Sequence, residues 1–136
     1  MSLVTAPATT ITVETISAKH ANQIPASLGL VAGEALLAAA PCYIKASDGK
    51  VYMSNGTAAN EAAELDGWTG KSYAAGEPVS LWGRGIIFEY GTALTIGAPL
   101  FLGTTAGRLD TAATTGDAVG VARTISTTHI RVTRDN

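Results

Sequence analysis

Few residues in this chain are suited to covalent or acid–base chemistry, and their spacing limits what they can do. Cys42 is the single cysteine, and His20 and His129 are the two histidines. A nucleophilic Cys–His pair would need the fold to bring distant positions within hydrogen-bond reach. Cys42 sits in Pro41-Cys42-Tyr43-Ile44, a strand-like run, and reads as a small buried apolar residue. His20 lies in a polar stretch and His129 heads the last strand-like run. No His-x-x-x-His or Cys-x-x-Cys spacing occurs, so no metal centre is expected. The eleven carboxylates are dispersed. Asp48, Asp66, Glu77, Asp110 and Asp117 occupy turn-type positions, where such side chains accept hydrogen bonds from backbone N–H groups. Glu61 and Glu64 fall one helical turn apart and read as a solvated face. Gly67-Trp68-Thr69-Gly70-Lys71 ends like a phosphate loop but lacks the upstream glycine and the strand–helix context. Asp48-Gly49-Lys50 stands at a hairpin tip, where carrier domains present a modified lysine, but the order around Lys50 is not that of a biotinyl or lipoyl domain. The expectation is a chain that is not an enzyme, with no catalytic, cofactor or metal residues. Trp82-Gly83-Arg84-Gly85 joins the two residue types most enriched at binding hot spots. Trp82 and Arg84 are therefore candidate interface residues; the alternative is a core tryptophan with an arginine at the next turn.

The elements that would position these residues are β-strands. A turn-plus-strand phrase comes four times: Ala32-Gly33-Glu34-Ala35-Leu36, Ala75-Gly76-Glu77-Pro78-Val79, Ile96-Gly97-Ala98-Pro99-Leu100 and Thr115-Gly116-Asp117-Ala118-Val119. Each pairs a glycine, suited to chain reversal, with an apolar residue that opens a short run. Proline in the middle two copies suits a strand's first residue, where no ladder donor is needed. Residues 43–53 read as a hairpin around Asp48-Gly49, and Phe101 to Leu109 as a second with a longer glycine-bearing loop. Gly85 to Gly91 and Ile130 to Thr133 read as further strands. Thr57 to Leu65 is the best helix candidate, two turns at most, with Thr57 as cap. Val31 to Ala40 is alanine-rich, but Gly33 and the repeat phrase argue for extended chain.

Residues 1–28 differ from the rest. Thr10-Ile11-Thr12-Val13-Glu14-Thr15-Ile16 alternates polar and apolar at period two, as a half-buried strand does, inside otherwise small and polar sequence. This predicts an extended N-terminal arm with one strand, able to pair with its own domain or to add a strand to another chain. The fold expected is therefore mainly β: a small closed antiparallel barrel or sandwich of eight to ten strands over residues 29–136, with one short helix and the arm.

Composition narrows the partners. The chain has 136 residues, 46% hydrophobic and 15% charged, which fits one domain with a real core. Its mean hydropathy is +0.22. The nine Lys and Arg are scattered through a chain of net charge −2, so phosphate-dominated nucleic-acid binding is not expected. No apolar stretch approaches a membrane span, so no membrane partner is expected. Met1-Ser2-Leu3-Val4-Thr5 lacks the cationic and apolar regions of a secretory signal, and with one cysteine, folding in a cytoplasm is expected.

From Ala32 to Val132 the chain resembles the capsid decoration, or cement, proteins of tailed bacteriophages. The resemblance is carried by Ala75 to Val79 entering its strand, by the Gly97-Ala98-Pro99-Leu100-Phe101-Leu102-Gly103-Thr104-Thr105-Ala106-Gly107-Arg108-Leu109 hairpin, and by Thr115 to Ala122. Asp48 to Tyr52 and Gly56 to Glu61 also look like that family. The resemblance implies a head-stabilising virion protein on the outer capsid surface, commonly a homotrimer at local threefold positions. Such a protein clamps neighbouring copies of the major capsid protein, with its N-terminal arm, here Thr10 to Ile16, lying on capsid subunits. A tail- or fibre-associated β module is the nearest alternative, and a small β-barrel binding or carrier domain the next.

Overall fold

The computed structural model describes residues 23–24, 28–57 and 60–134. Ten short strands lie among them: β1 (Gln23–Ile24), β2 (Pro41–Ile44), β3 (Val51–Met53), β4 (Gly67–Thr69), β5 (Leu81–Trp82), β6 (Ile87–Glu89), β7 (Pro99–Leu102), β8 (Leu109–Asp110), β9 (Ala122–Thr124) and β10 (His129–Val132). They make two five-stranded sheets, ordered β1-β5-β4-β2-β3 and β6-β10-β9-β7-β8. The strand ladders are antiparallel.

The expected hairpins form where glycine permits the reversal. Between β2 and β3, Lys45 N donates to Lys50 O at 2.9 Å and Gly49 N to Lys45 O at 2.7 Å, with Gly49 at φ +70°. Between β7 and β8, Phe101 faces Asp110 and Leu102 faces Leu109. Pro41 and Pro99 each open a strand, as a residue without a ladder donor should. The alanine-rich segment from residue 31 is extended. It straps the first sheet through single bridges, Val31 to Pro78, Ala32 to Val51 and Leu36 to Tyr73.

Side-chain alternation divides the apolar residues between two cores. On β5, Leu81 joins the smaller core with Cys42, Val51 and Val79, closed by Ala32, Leu36 and Tyr73 of the strapping segments. Its neighbour Trp82 packs against the larger core between the sheets. There Trp68 of β4 meets Phe88 of β6, ring centroids 6.2 Å apart, among Leu100, Leu102, Leu109, Ile130 and Val132. Burying a large side chain of this kind contributes about 1.5–3 kcal/mol, so this layer dominates the cohesion of the fold. Gly56 ties the two halves. Its N donates to Gly103 O at 2.8 Å and its O accepts from Gly116 N at 2.6 Å. A Cβ there would stand 2.3 Å from Leu102 O, so only glycine fits.

Three expectations change. The sheets do not close into a barrel; they stack, in part, as a sandwich. Closure needs a continuous staggered ladder, and strands of two to four residues paired into two separate five-stranded sheets do not supply one. Among the described residues of the stretch expected as a helix, Thr57 to Leu65, there is a single 3-10 turn, Glu61–Ala63, capped by Asn60 rather than Thr57. Asn60 Oδ1 accepts from Ala62 N at 3.0 Å, and the chain is extended again at Glu64, which delivers Leu65 to the larger core. The apolar run from Val119 begins its strand only at Ala122, leaving Val119 79% exposed. The strand expected at Thr10 to Ile16, and His20, lie outside the described residues. Within the stretch expected as an arm, Gln23 and Ile24 pair with Trp82 and Leu81 of the body.

Candidate functional site

The chemistry-bearing residues are built into the scaffold one by one. All five carboxylates expected at turns accept backbone N–H groups. Asp48 Oδ1 takes Lys50 N at 2.9 Å, Asp66 Oδ2 takes Ile44 N at 2.7 Å, Glu77 Oε1 takes Ala74 N at 2.5 Å, and Asp110 Oδ1 takes Ala112 N at 3.0 Å. Asp117 is the extreme case. Its Oδ2 accepts from Leu102 N at 2.9 Å, and its Oδ1 from Val119 N, Gly120 N and Arg134 Nη1. Glu34 and Glu61 do the same over longer range, accepting from Met53 N and Ala46 N.

Cys42 and His129 are not brought together. Cys42 is buried in the smaller core and donates its thiol to Ala40 O at 3.4 Å. Burial, with Glu34 adding to it, pushes the thiol pKa well above its ordinary range, the opposite of an activated nucleophile. His129 opens β10 in the other sheet, its Nδ1 2.6 Å from Thr128 Oγ1 and its Nε2 4.0 Å from Glu89. Among the described residues, no group of three or more His, Cys, Asp or Glu is arranged to hold a metal ion. Lys50 stays exposed at the hairpin tip, and Lys71 lies 5.0 Å over the Tyr73 ring. Trp82 is half-buried against the larger core and faces Trp68 and Gln23 in register, while Arg84 is exposed just beyond β5.

Two surface regions stand out from this frame. The first is the outer face of the second sheet. Across four adjacent strands, Ile87 faces Arg131, Arg131 faces Arg123, and Arg123 faces Pro99. Arg123, Arg131 and Pro99 are exposed, and Arg123 Nε donates to Gly97 O at 3.4 Å. Phe101, on the same face of β7, is half-buried. A Cβ at Gly120 would lie 3.7 Å from the Phe101 ring and 3.8 Å from Pro99, which sets the exposed Val119 turn beside them. The next row carries Glu89 opposite His129.

The second region is the hairpin end of the first sheet. Tyr43, itself buried, and the half-buried Tyr52 face each other in register, with ring centroids 6.1 Å apart. Tyr52 Oη donates to Asp48 Oδ2 at 2.6 Å, and Lys45 Nζ lies 5.0 Å over the Tyr52 ring. The Tyr43 phenol pKa is raised by burial first and then by the charges of Glu61, Glu34 and Asp48.

The chain matches no model of a known protein family, no curated protein and no solved structure.

The arginine row was missed in the sequence, although a signal was present. Arg131 alternates with Ile130 and Val132, and Arg123 with Ala122 and Thr124, so both must leave the core on the same side once the strands pair.

Proposed function

We propose that this protein is a structural binding module that decorates a phage capsid. The observation that carries this reading is the fate of the polar side chains. The carboxylates hold turns and strand ends to one another, and the thiol is sealed in a core. What remains outward is broad sheet face and loop, carrying Arg123, Arg131, Tyr52, Val119 and Ile96. Surfaces of that kind suit contact with other protein rather than conversion of a small molecule. The order of the glycine-bearing phrases, which resembles the cement proteins of tailed phages, supplies the finer assignment.

In this reading several weak contacts per assembly act together on a repeating lattice. Simultaneous engagement converts each further contact into an intramolecular event, and binding only the mature lattice stabilises it by mass action. The segment Thr10 to Ile16 contributes main-chain pairing to neighbouring copies of the major capsid protein.

The test is to mix the purified chain with expanded, undecorated phage capsids and image them by electron microscopy. Extra density at regular lattice positions is expected. A chain lacking residues 1–17 should pellet poorly with the same capsids. A bare lattice with folded full-length protein would remove the capsid assignment, and undiminished pelleting of the truncated chain would remove the arm's role.

A further inference from the structure

The two halves of this chain differ in charge chemistry. From Arg84 to Arg134 every basic residue is arginine: Arg84, Arg108, Arg123, Arg131 and Arg134 stand against Glu89, Asp110 and Asp117. Of those three acids, Asp110 and Asp117 are buried. From Gln23 to Trp82 every basic residue is lysine: Lys45, Lys50 and Lys71 stand against Glu34, Asp48, Glu61, Glu64, Asp66 and Glu77. The second sheet is thus the cationic side of the molecule and the first sheet the anionic side.

The cationic side has a focus. Arg123 and Arg131 are directly opposed across the β9–β10 ladder, and like charges in that position weaken a sheet. They are flanked in the same row by Ile87 and Pro99, with Glu89 and His129 in the next. The anionic side has a matching focus at the β2–β3 hairpin. There the half-buried Tyr52 donates to exposed Asp48 and packs beside buried Tyr43. Glu34 and Glu61 accept from Met53 N and Ala46 N at its flanks. Glu64 is exposed just after the 3-10 turn, and Lys45 lies over the Tyr52 ring. Arginine against carboxylate and tyrosine is the pairing that dominates interface hot spots, through bidentate bonds and stacking.

We propose that the outer face of the second sheet docks a second copy of this chain, with Arg123 and Arg131 seated on the acidic tyrosine face of the neighbour. Carboxylates brought between the two arginines relieve their mutual repulsion, so association restores what the isolated sheet gives up. The contact joins two different surfaces, so it is heterologous, and successive copies close a ring or extend as a filament. This shares with the proposed function only the expectation of self-assembly, and it stands or falls without a capsid.

The experiment is sedimentation velocity on the full-length chain at low and high salt. Association above the monomer is expected at low salt, weakening as salt screens the pair. The double variant R123E/R131E should associate more weakly by about 30-fold or more, the loss of one hot spot. The variant E61K/E64K should lose association likewise. Both are checked for native circular dichroism and cooperative melting. Mixed in equal amounts, the two variants should associate again, because each supplies the charge the other lacks; misfolded chains would not. A monomeric wild-type chain, wild-type association in either variant, or a mixture that stays monomeric overturns the proposal. If the wild-type chain is monomeric yet decorates capsids, and R123E/R131E does not, the arginine face belongs to the capsid partner. The capsid reading then survives and this one does not.

Discussion

One phrase of sequence has two different fates in this molecule. Ala75-Gly76-Glu77-Pro78 and Thr115-Gly116-Asp117-Ala118 each place a carboxylate directly after a glycine. Glu77 is exposed, and its carboxylate closes a local turn on Ala74 N. Asp117 has a fully buried carboxylate that gathers Leu102 N, Val119 N, Gly120 N and the Arg134 guanidinium. The same local grammar makes a surface reversal in one place and the pin of a sheet in the other. The difference lies in what the tertiary fold brings to the carboxylate. Asp117 has β7 and the C-terminal segment converging on it, and Glu77 has only its own turn.

Asp117→Ala is expected to be the most damaging change. It strands several buried N–H donors and leaves Arg134 without its carboxylate, a loss of about 3–5 kcal/mol. A domain of ordinary stability has about 5–15 kcal/mol in total, so urea unfolding should shift far toward low denaturant. Asp117→Asn separates the contributions. It keeps one acceptor oxygen but turns an NH2 toward Leu102 N or toward the other donors, so it should recover only part of the loss. A near-neutral Asp117→Ala would mean that the converging bonds stabilise nothing, and the contrast with Glu77 would collapse.

The glycines of the two proline-bearing copies come next. Gly76 and Gly97 have φ of +88° and +79°, whereas the glycines of the other two copies, Gly33 and Gly116, are not among the positive-φ residues. At Gly76 a Cβ would meet nothing within 4 Å, so Gly76→Ala isolates backbone strain from crowding. A loss of about 1–2 kcal/mol is expected. Gly116→Ala lacks that strain, and comparing the two by thermal melting tests whether the repeat is one turn type or two.

How much of this was legible in the sequence follows from the range of each determinant. The hairpin around Gly49, the strand between Gly85 and Gly91 and the roles of the turn carboxylates were readable, because each is fixed within a few residues. The depth of Asp117 was not, since it depends on Leu102 and Arg134, which adjacent sequence does not reveal. The β1 strand at Gln23–Ile24 was missed for the same reason: its pairing partner is β5, far along the chain. Helical propensity over Thr57 to Leu65 gave way to tertiary demands, with Leu65 drawn into the larger core. The arginine row needed strand register, which alternation suggests and only pairing fixes.

Glu77→Ala removes one exposed acceptor from one turn, so a loss of at most about 1 kcal/mol is expected in the same urea series. It sharpens the contrast: the ratio between the Asp117 and Glu77 losses measures what burial and convergence add to an identical local motif. Comparable losses at the two positions would place the stabilisation in the turn itself.

The smallest effect is expected at Asp48, an exposed turn carboxylate that resembles Glu77 in depth but has gained one tertiary-like partner. The Tyr52 hydroxyl and then Lys50 N hold its pKa below the usual carboxylate value. The same bond, from the other side, raises the Tyr52 phenol. A carboxylate with a depressed folded pKa adds stability above its unfolded value, about 3.9, and that contribution fades as pH falls through the folded value. A phenol with a raised folded pKa adds stability below its unfolded value, about 10, and loses it as pH rises through the folded value. The melting-temperature advantage of the wild-type chain over Asp48→Asn should therefore be small, flat across neutral pH, and lower at both extremes. Tyr52→Phe should remove the alkaline decline while leaving part of the acid one, because Lys50 N still favours the carboxylate. An advantage independent of pH would show that Asp48 acts only as a turn former, as Glu77 does, and that its bond to Tyr52 contributes nothing to the folded state.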